Sequence, residues 1–159
     1  MIRKATLDDI PLMAKIEMAC FHKDRYPIDE ESFYELMLEP SQLVLVHDSA
    51  EHGVNGHLLA EVMSNKTGLS IDSVAVLPEF QNRGIGKDLV RAVLEYAKNR
   101  NIPSISLETP ENERDLHDFY ESLSFRKVGR EENFYGDGGA CIIMKLIFMM
   151  LLMIPFPQL

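Results

Sequence analysis

The run Gln81-Asn82-Arg83-Gly84-Ile85-Gly86-Lys87 has the residue types of an anion site. It follows Val74-Ala75-Val76-Leu77-Pro78, which reads as the end of a strand, and it opens a helix. The first amides of a helix have no partner within it and carry the positive end of its dipole. Glycines let a phosphate approach the backbone, and Arg83 and Lys87 add charge on the same turn. Other phosphate motifs fail. There is no G-x-x-x-x-G-K-S/T, and Leu89 stands where the third glycine of G-x-G-x-x-G belongs. Gly-Ile-Gly alone is equally a tight entry into a helix; Gln81 and the preceding Val-Ala-Val strand favour the anion reading. His47, His52 and His57 recur across a loop and two strands, a spacing read as coincidence, so no metal is expected. Cys20 and Cys141 are far apart in apolar surroundings, consistent with buried reduced thiols in a cytoplasmic protein.

The elements that must position this turn follow from periodicity. Residues 2 to 7 read as a first strand. Thr6 or Asp8 caps a helix that carries Ile10, Met13, Ile16 and Cys20 on one face. Pro27 breaks the chain, and Asp29 opens a second short helix with Phe33, Leu36 and Met37 inward, ending at Pro40. Three strands follow, Gln42 to His47, Val54 to Met63 and Leu69 to Leu77, whose short connections imply an antiparallel meander. A helix from Gly84 buries Ile85, Leu89, Val90, Val93, Leu94 and Ala97. Then come a strand from Ser104 to Glu108, a helix from Glu113 to Leu123, a strand from Phe125 to Glu131 and a last strand from Ala140. The strand–helix–strand unit implies a parallel crossover. The layout is α+β around one mixed, mostly antiparallel sheet flanked by helices.

The chain has 159 residues, enough for a single domain, and 46% of them are apolar, so it can bury a sizeable core. A net charge of -9 argues against a nucleic-acid binder and suits a cationic substrate, although acidity alone is equally a matter of solubility. From Leu146 to Ile154 nearly every residue is apolar before Pro155 and Pro157. Counted from Ala140 the run is about fifteen residues, short of the roughly 20 a membrane helix needs. Residues 147–159 are expected to be an apolar extension that makes a partner contact, such as a homodimer, or a flap.

The segment Val74 to Lys87 resembles the acetyl-CoA motif of the GNAT acetyltransferase superfamily, Q/R-x-x-G-x-G/A. Within it the chain is most similar to the ribosomal-protein alanine and related protein N-terminal acetyltransferases. The resemblance covers residues 1 to about 146 and is strongest between 71 and 129. It implies a fold in which two neighbouring parallel strands splay apart. The donor's pantetheine arm would pair with freed backbone at Val74, Ala75 and Val76, while Gln81, Asn82, Arg83, Gly84, Ile85, Gly86 and Lys87 would hold its pyrophosphate.

Acetylating an amine by direct attack on a thioester takes two proton transfers, one off the ammonium and one onto the leaving sulfur. By the same resemblance, Glu108 falls on the base position and Tyr120, in Leu123-preceding Phe119-Tyr120-Glu121-Ser122, on the acid position. Without it, Glu108 reads as a solvated strand-end charge and Tyr120 as a half-buried core aromatic. The family usually has Asn seven residues before that Tyr. Here Glu113 holds the place, and Asn112, one residue earlier, is the expected cofactor contact; Leu116 stands where Ala is usual and Ser124 where Gly is usual. Phe134-Tyr135-Gly136-Asp137-Gly138-Gly139 resembles the loop that flanks the substrate, so Tyr135 and the Phe21-to-Pro27 segment, with Tyr26, are the substrate-side expectation. A glycine-rich hairpin is its plain alternative. An α-amine, with a pKa of roughly 7.7–8.0 against about 10.4 for lysine, needs only a modest base. The acceptor expected is therefore a protein or peptide N-terminus. A polyamine-like small molecule, or a CoA-binding sensor without catalysis, are the alternatives.

Overall fold

The computed structural model describes residues 1–21 and 26–149. Among them, seven strands form one sheet: β1 (Ile2–Lys4), β2 (Gln42–Ser49), β3 (Gly53–Val62), β4 (Leu69–Val76), β5 (Ser104–Pro110), β6 (Arg126–Glu131) and β7 (Cys141–Ile147). Four α-helices flank it: α1 (Ile10–Cys20), α2 (Glu30–Leu38), α3 (Ile85–Asn99) and α4 (Arg114–Glu121). The order across the sheet is β1-β2-β3-β4-β5-β7-β6. β2, β3 and β4 form the expected antiparallel meander, and β4 and β5 are the parallel pair. The first strand is shorter than expected, because residues 7–9 form a 3-10 turn. There Asp9 accepts from the Thr6 backbone amide (2.7 Å) and pairs with Arg3 (2.7 Å).

Both faces of the sheet are covered, which explains the unbroken apolar run in β2. Alternate side chains of a strand point to opposite faces. Leu43 and Leu45 accordingly pack in the core under α3 and α4, while Val44 and Val46 pack with α1 and α2. Of the stripe that spacing predicts for α3, Ile85, Leu89, Val90, Val93 and Ala97 are buried, while Leu94 is only half-buried at the edge of the core. Asn101 at φ 56 ends that helix, and the Ile102 amide returns to the Ala97 carbonyl at 3.0 Å. α2 is capped by Asp29, whose carboxylate accepts from the Ser32 amide at 2.8 Å.

Two interruptions of pairing open the sheet at one place. β4 pairs with β5 only from Leu69↔Ile105 to Ile71↔Leu107, although both strands run on. Towards β3, the register jumps from Ala60↔Ile71 to Leu59↔Ser73, which leaves Asp72 as the extra residue of a β-bulge. The bulge shifts the side-chain parity of β4. Leu69 and Ile71 before it, and Val74 and Val76 after it, all contact the α3 core. Beyond Phe148, whose amide donates to the Pro103 carbonyl at 2.9 Å, Met149 is exposed. The rest of the apolar extension, residues 150–159, lies outside the described residues, and so does the dimer contact expected of it.

Candidate functional site

The opening between β4 and β5 is the floor of a cleft of about 720 Å³. Its walls are β4 from Ile71 to Val76, β5 from Leu107 to Pro110, the end of α1 with the connection to α2, α4, and the β6–β7 loop at Phe134 and Tyr135. Of the residues singled out in the sequence, Val74, Ala75, Val76, Gln81, Glu108, Tyr120, Tyr26 and Tyr135 meet in this one cleft.

The glycine turn stands at its end. Gln81 does not point away from the protein; its side-chain amide donates to the Val76 carbonyl at 2.9 Å, tying the turn to the end of β4. The Cys20 thiol donates to the same carbonyl (3.1 Å), and burial pushes that thiol's pKa up, so it is no activated nucleophile. Asn82 at φ 59 and Gly84 at φ 86 are both left-handed, which folds the chain tightly into α3, with Gly84 as the cap. Such a turn gathers backbone amides at a helix start. Asn82, Arg83 and Gly84 are exposed, and the Arg83 guanidinium lies 5.4 Å from the centre of the Phe80 ring. Ile85 is buried, so its side chain belongs to the core and only its backbone is available to a ligand. A Cβ built on Gly86 would meet Phe119 no closer than 3.5 Å, so the protein itself leaves room there. That approach, beside Lys87 and the first amides of α3, fits a pyrophosphate.

Glu108 and Tyr120 reach the cleft from different elements. Leu107 packs in the α3 core. Glu108, one residue further, therefore stands on the opposite face, the one that α1 and α2 cover. Its side chain is exposed to the solvent of the cleft; partial desolvation raises its pKa from the usual glutamate value, and the charge of Glu131 adds to the effect. Tyr120 is held by α4, which the buried His117 ring fastens to β5 through the Pro110 carbonyl (3.0 Å). The Tyr120 ring packs edge-on against Phe119 and Phe125. It is 6% exposed, and burial drives its pKa well above the ordinary phenol value.

The substrate-side segments approach each other over the cleft. Tyr26 is exposed at φ 48, and its ring lies so close to Gly136 that a Cβ there would sit 3.2 Å from it. Residues 22–25 of the Phe21-to-Pro27 expectation lie outside the described residues. Asn112 is exposed and does not line the cleft; Glu113 and Leu116 do. His47 bonds Asn55 (2.6 Å), and no cluster of metal-binding side chains occurs among the described residues.

Sequence reasoning missed two features of this site. One is Asp72. The other is Glu17, fully buried in α1. It accepts from Ser73 Oγ (2.6 Å) and from the Ile28 amide (3.2 Å), and lies 3.0 Å from the buried His57 Nε2. Glu17 thus joins the α1–α2 connection to β3 and β4. A glutamate at an apolar-stripe position of α1 was the available signal.

Comparison with known proteins accords with this geometry. Residues 10–125 match the model of the Acetyltransferase (GNAT) family. A Bacillus subtilis protein named as a candidate ribosomal protein bS18-alanine N-acetyltransferase is 27% identical, across 87% of this chain and 88% of its own. An N-alpha-acetyltransferase of Saccharolobus solfataricus is 27% identical, across 90% of each chain. The crystal structure of the Escherichia coli ribosomal-protein-S18-alanine N-acetyltransferase superposes with a TM-score of 0.82 over 94% of each chain at 22% identity, a likeness of fold.

Proposed function

Because the chain belongs to the GNAT acetyltransferase family and is an acetyl-CoA-dependent acetyltransferase, we propose that its acceptor is the N-terminal α-amine of a protein or peptide. The observation that carries this reading is the convergence of Glu108 and Tyr120 in one cleft, below the Tyr26 and Tyr135 segments. The names of the relatives support the choice of acceptor. So does charge, since the described residues that line the cleft include Glu17, Asp72, Glu108 and Glu113 and no lysine or arginine.

The donor supplies an activated thioester carbonyl. The first turn of α3 and its glycines hold the pyrophosphate, and the unpaired edge of β4 orients the arm that carries the acetyl group. Glu108 accepts a proton from the incoming ammonium, which frees the nitrogen lone pair for attack. Its raised pKa brings the carboxylate nearer to that of an α-ammonium and makes it a better base than an unperturbed glutamate. Burial keeps Tyr120 protonated at every physiological pH, so it faces the leaving sulfur as a donor. A phenol is a weaker acid than a thiol. Its first contribution is therefore a hydrogen bond to the sulfur as charge builds there, with the proton following. The amine loses two protons overall, one to solvent through the carboxylate and one to sulfur.

Mass spectrometry of a panel containing free and blocked peptide N-termini, lysine side chains and polyamines, incubated with acetyl-CoA, tests the acceptor. Acetylation confined to free N-termini is expected, and acetylation of polyamines alone would reject it. On the preferred acceptor, Tyr120→Phe and Glu108→Gln should each lower kcat by about 10²-fold while CoA affinity holds. Wild-type turnover in both variants removes the assigned roles.

A further inference from the structure

The proton chemistry assigned above uses one carboxylate, but the cleft presents another on the opposite strand. Asp72 is the extra residue of the bulge in β4, left out of register with β3 and lying one step past the last β4–β5 pair, Ile71↔Leu107. Bulges beside active sites re-aim a side chain, and this one stands where the sheet opens. Ile71 packs in the α3 core and the Ser73 hydroxyl reaches Glu17 on the α1 side. Asp72 takes the hydroxyl of Ser70 on one oxygen, Oδ1, at 3.0 Å. Its other oxygen has no hydrogen-bond partner among the described residues.

We infer that Asp72 is a second catalytic carboxylate, which faces Glu108 across the opening of β4 from β5 and shares with it the binding and deprotonation of the acceptor ammonium. The inference rests on the acceptor reading above and adds a residue that the family resemblance did not indicate. Three independent features place a reacting group between these strands. Both carboxylates line the same cleft. The Tyr120 hydroxyl lines it too, on a side chain more than nine-tenths buried and without a hydrogen-bond partner among the described residues. Finally, the bulge and the end of the parallel pairing coincide at Asp72.

The charges around Asp72 favour this role. Asp72 is exposed to the solvent of the cleft; partial desolvation raises its carboxyl to about 6, and the charges of Glu61 on β3 and Glu108 on β5 push the same way against the Ser70 hydrogen bond. Glu17 and Glu113 add acidity to the same cleft. An ammonium placed between Asp72 and Glu108 relieves their mutual repulsion. As its N–H bond breaks, the proton passes to one carboxylate while the other stays ionised and holds the nitrogen in place. The N–H electron pair remains on nitrogen for attack, and the proton then leaves to solvent.

The test is the pH dependence of kcat and kcat/KM from pH 5 to 9 for the wild type, Asp72→Asn, Asp72→Glu, Glu108→Gln and the double variant Asp72→Asn/Glu108→Gln. CoA affinity and thermal melting report on the fold. Asp72→Asn is expected to lower kcat at least 10-fold with CoA affinity unchanged. It should also displace the acid limb that in the wild type falls as pH drops through about 6. Asp72→Glu should restore much of the rate, and the double variant should lose less than the product of the two single losses. Wild-type kcat and an unmoved acid limb in Asp72→Asn overturn the inference, and so does a loss confined to KM. Failure of the acceptor reading is visible separately, as wild-type protein that acetylates no free N-terminus. If it acetylates another amine, the same comparison on that amine decides the role of Asp72, and no turnover on any amine ends both readings.

Discussion

Withdrawing water from an ionisable group disfavours its charged form; the cleft does this to the buried Tyr120, and in part to Asp72 and Glu108, which stay exposed. For Tyr120 the result is a proton firmly held, as a donor requires. For the two carboxylates it is greater basicity, at a cost in stability that can be measured. A carboxyl whose folded pKa exceeds its unfolded value favours the native state when protonated, and it opposes folding once ionised. Asp72→Asn should therefore melt higher than the wild type above about pH 6 and at the same temperature below about pH 4. Equal melting across that range would contradict the raised value. Asp9 is the opposite case. The Arg3 guanidinium lowers it to about 2, so its contribution is present above the ordinary carboxylate range and fades as pH falls towards 2. Asp9→Asn should lose about 1–2 kcal/mol in urea unfolding at pH 7, and little at pH 2. Of the site residues, Glu108 and Tyr120 were legible only through the family pattern. Asp72 carried a signal of its own, a charge breaking an apolar strand between Ile71 and Val74. Its meaning depended on a bulge that no local spacing announces.

The elements were legible to the extent that their causes are local. The apolar stripe of α3, the Asp29 cap and the breaks at prolines are all features of neighbouring residues, and each stands where its spacing places it. The turn into α3 makes a prediction at this scale. A Cβ at residue 86 meets Phe119 at ordinary contact distance, so thermal melting of Gly86→Val checks that it folds, while its side chain stands where the pyrophosphate is proposed to lie. Calorimetry should find CoA binding abolished; normal binding would remove the turn from the donor site. Ser124, which stands where the resemblance placed a glycine, sits at φ 72 after α4. A non-glycine residue there is strained by roughly 1–2 kcal/mol. Glycine gives part of that back through the greater freedom of the unfolded chain. Ser124→Gly should thus stabilise by up to about 1 kcal/mol, read as the midpoint of urea unfolding.

Across the whole molecule, Glu17 links what the chain keeps far apart: α1, His57 on β3, Ser73 on β4 and the backbone before α2. Taking away Glu17 leaves the Ser73 hydroxyl and the Ile28 amide without their buried acceptor, so Glu17→Ala should cost about 3 kcal/mol of unfolding free energy. The loosened α1–α2 connection should raise KM for the acceptor more than for acetyl-CoA; a loss of stability with both KM values unchanged would separate Glu17 from the acceptor wall. His57 read as one member of a coincidental histidine series, because nothing in the sequence brings residue 57 to residue 17. The sequence by itself determined the segments, their amphipathic faces and the glycine turn into α3, since these depend on contacts within a few residues. Tertiary structure decided where the sheet opens, that Asp72 and Glu108 line one cleft, and that Tyr26 lies over Gly136. The cleft exists because pairing between β4 and β5 stops at Ile71 and Leu107 while both strands continue. That stop is settled by what packs on either face of the sheet, a sum of non-local contacts that no short stretch of residues encodes.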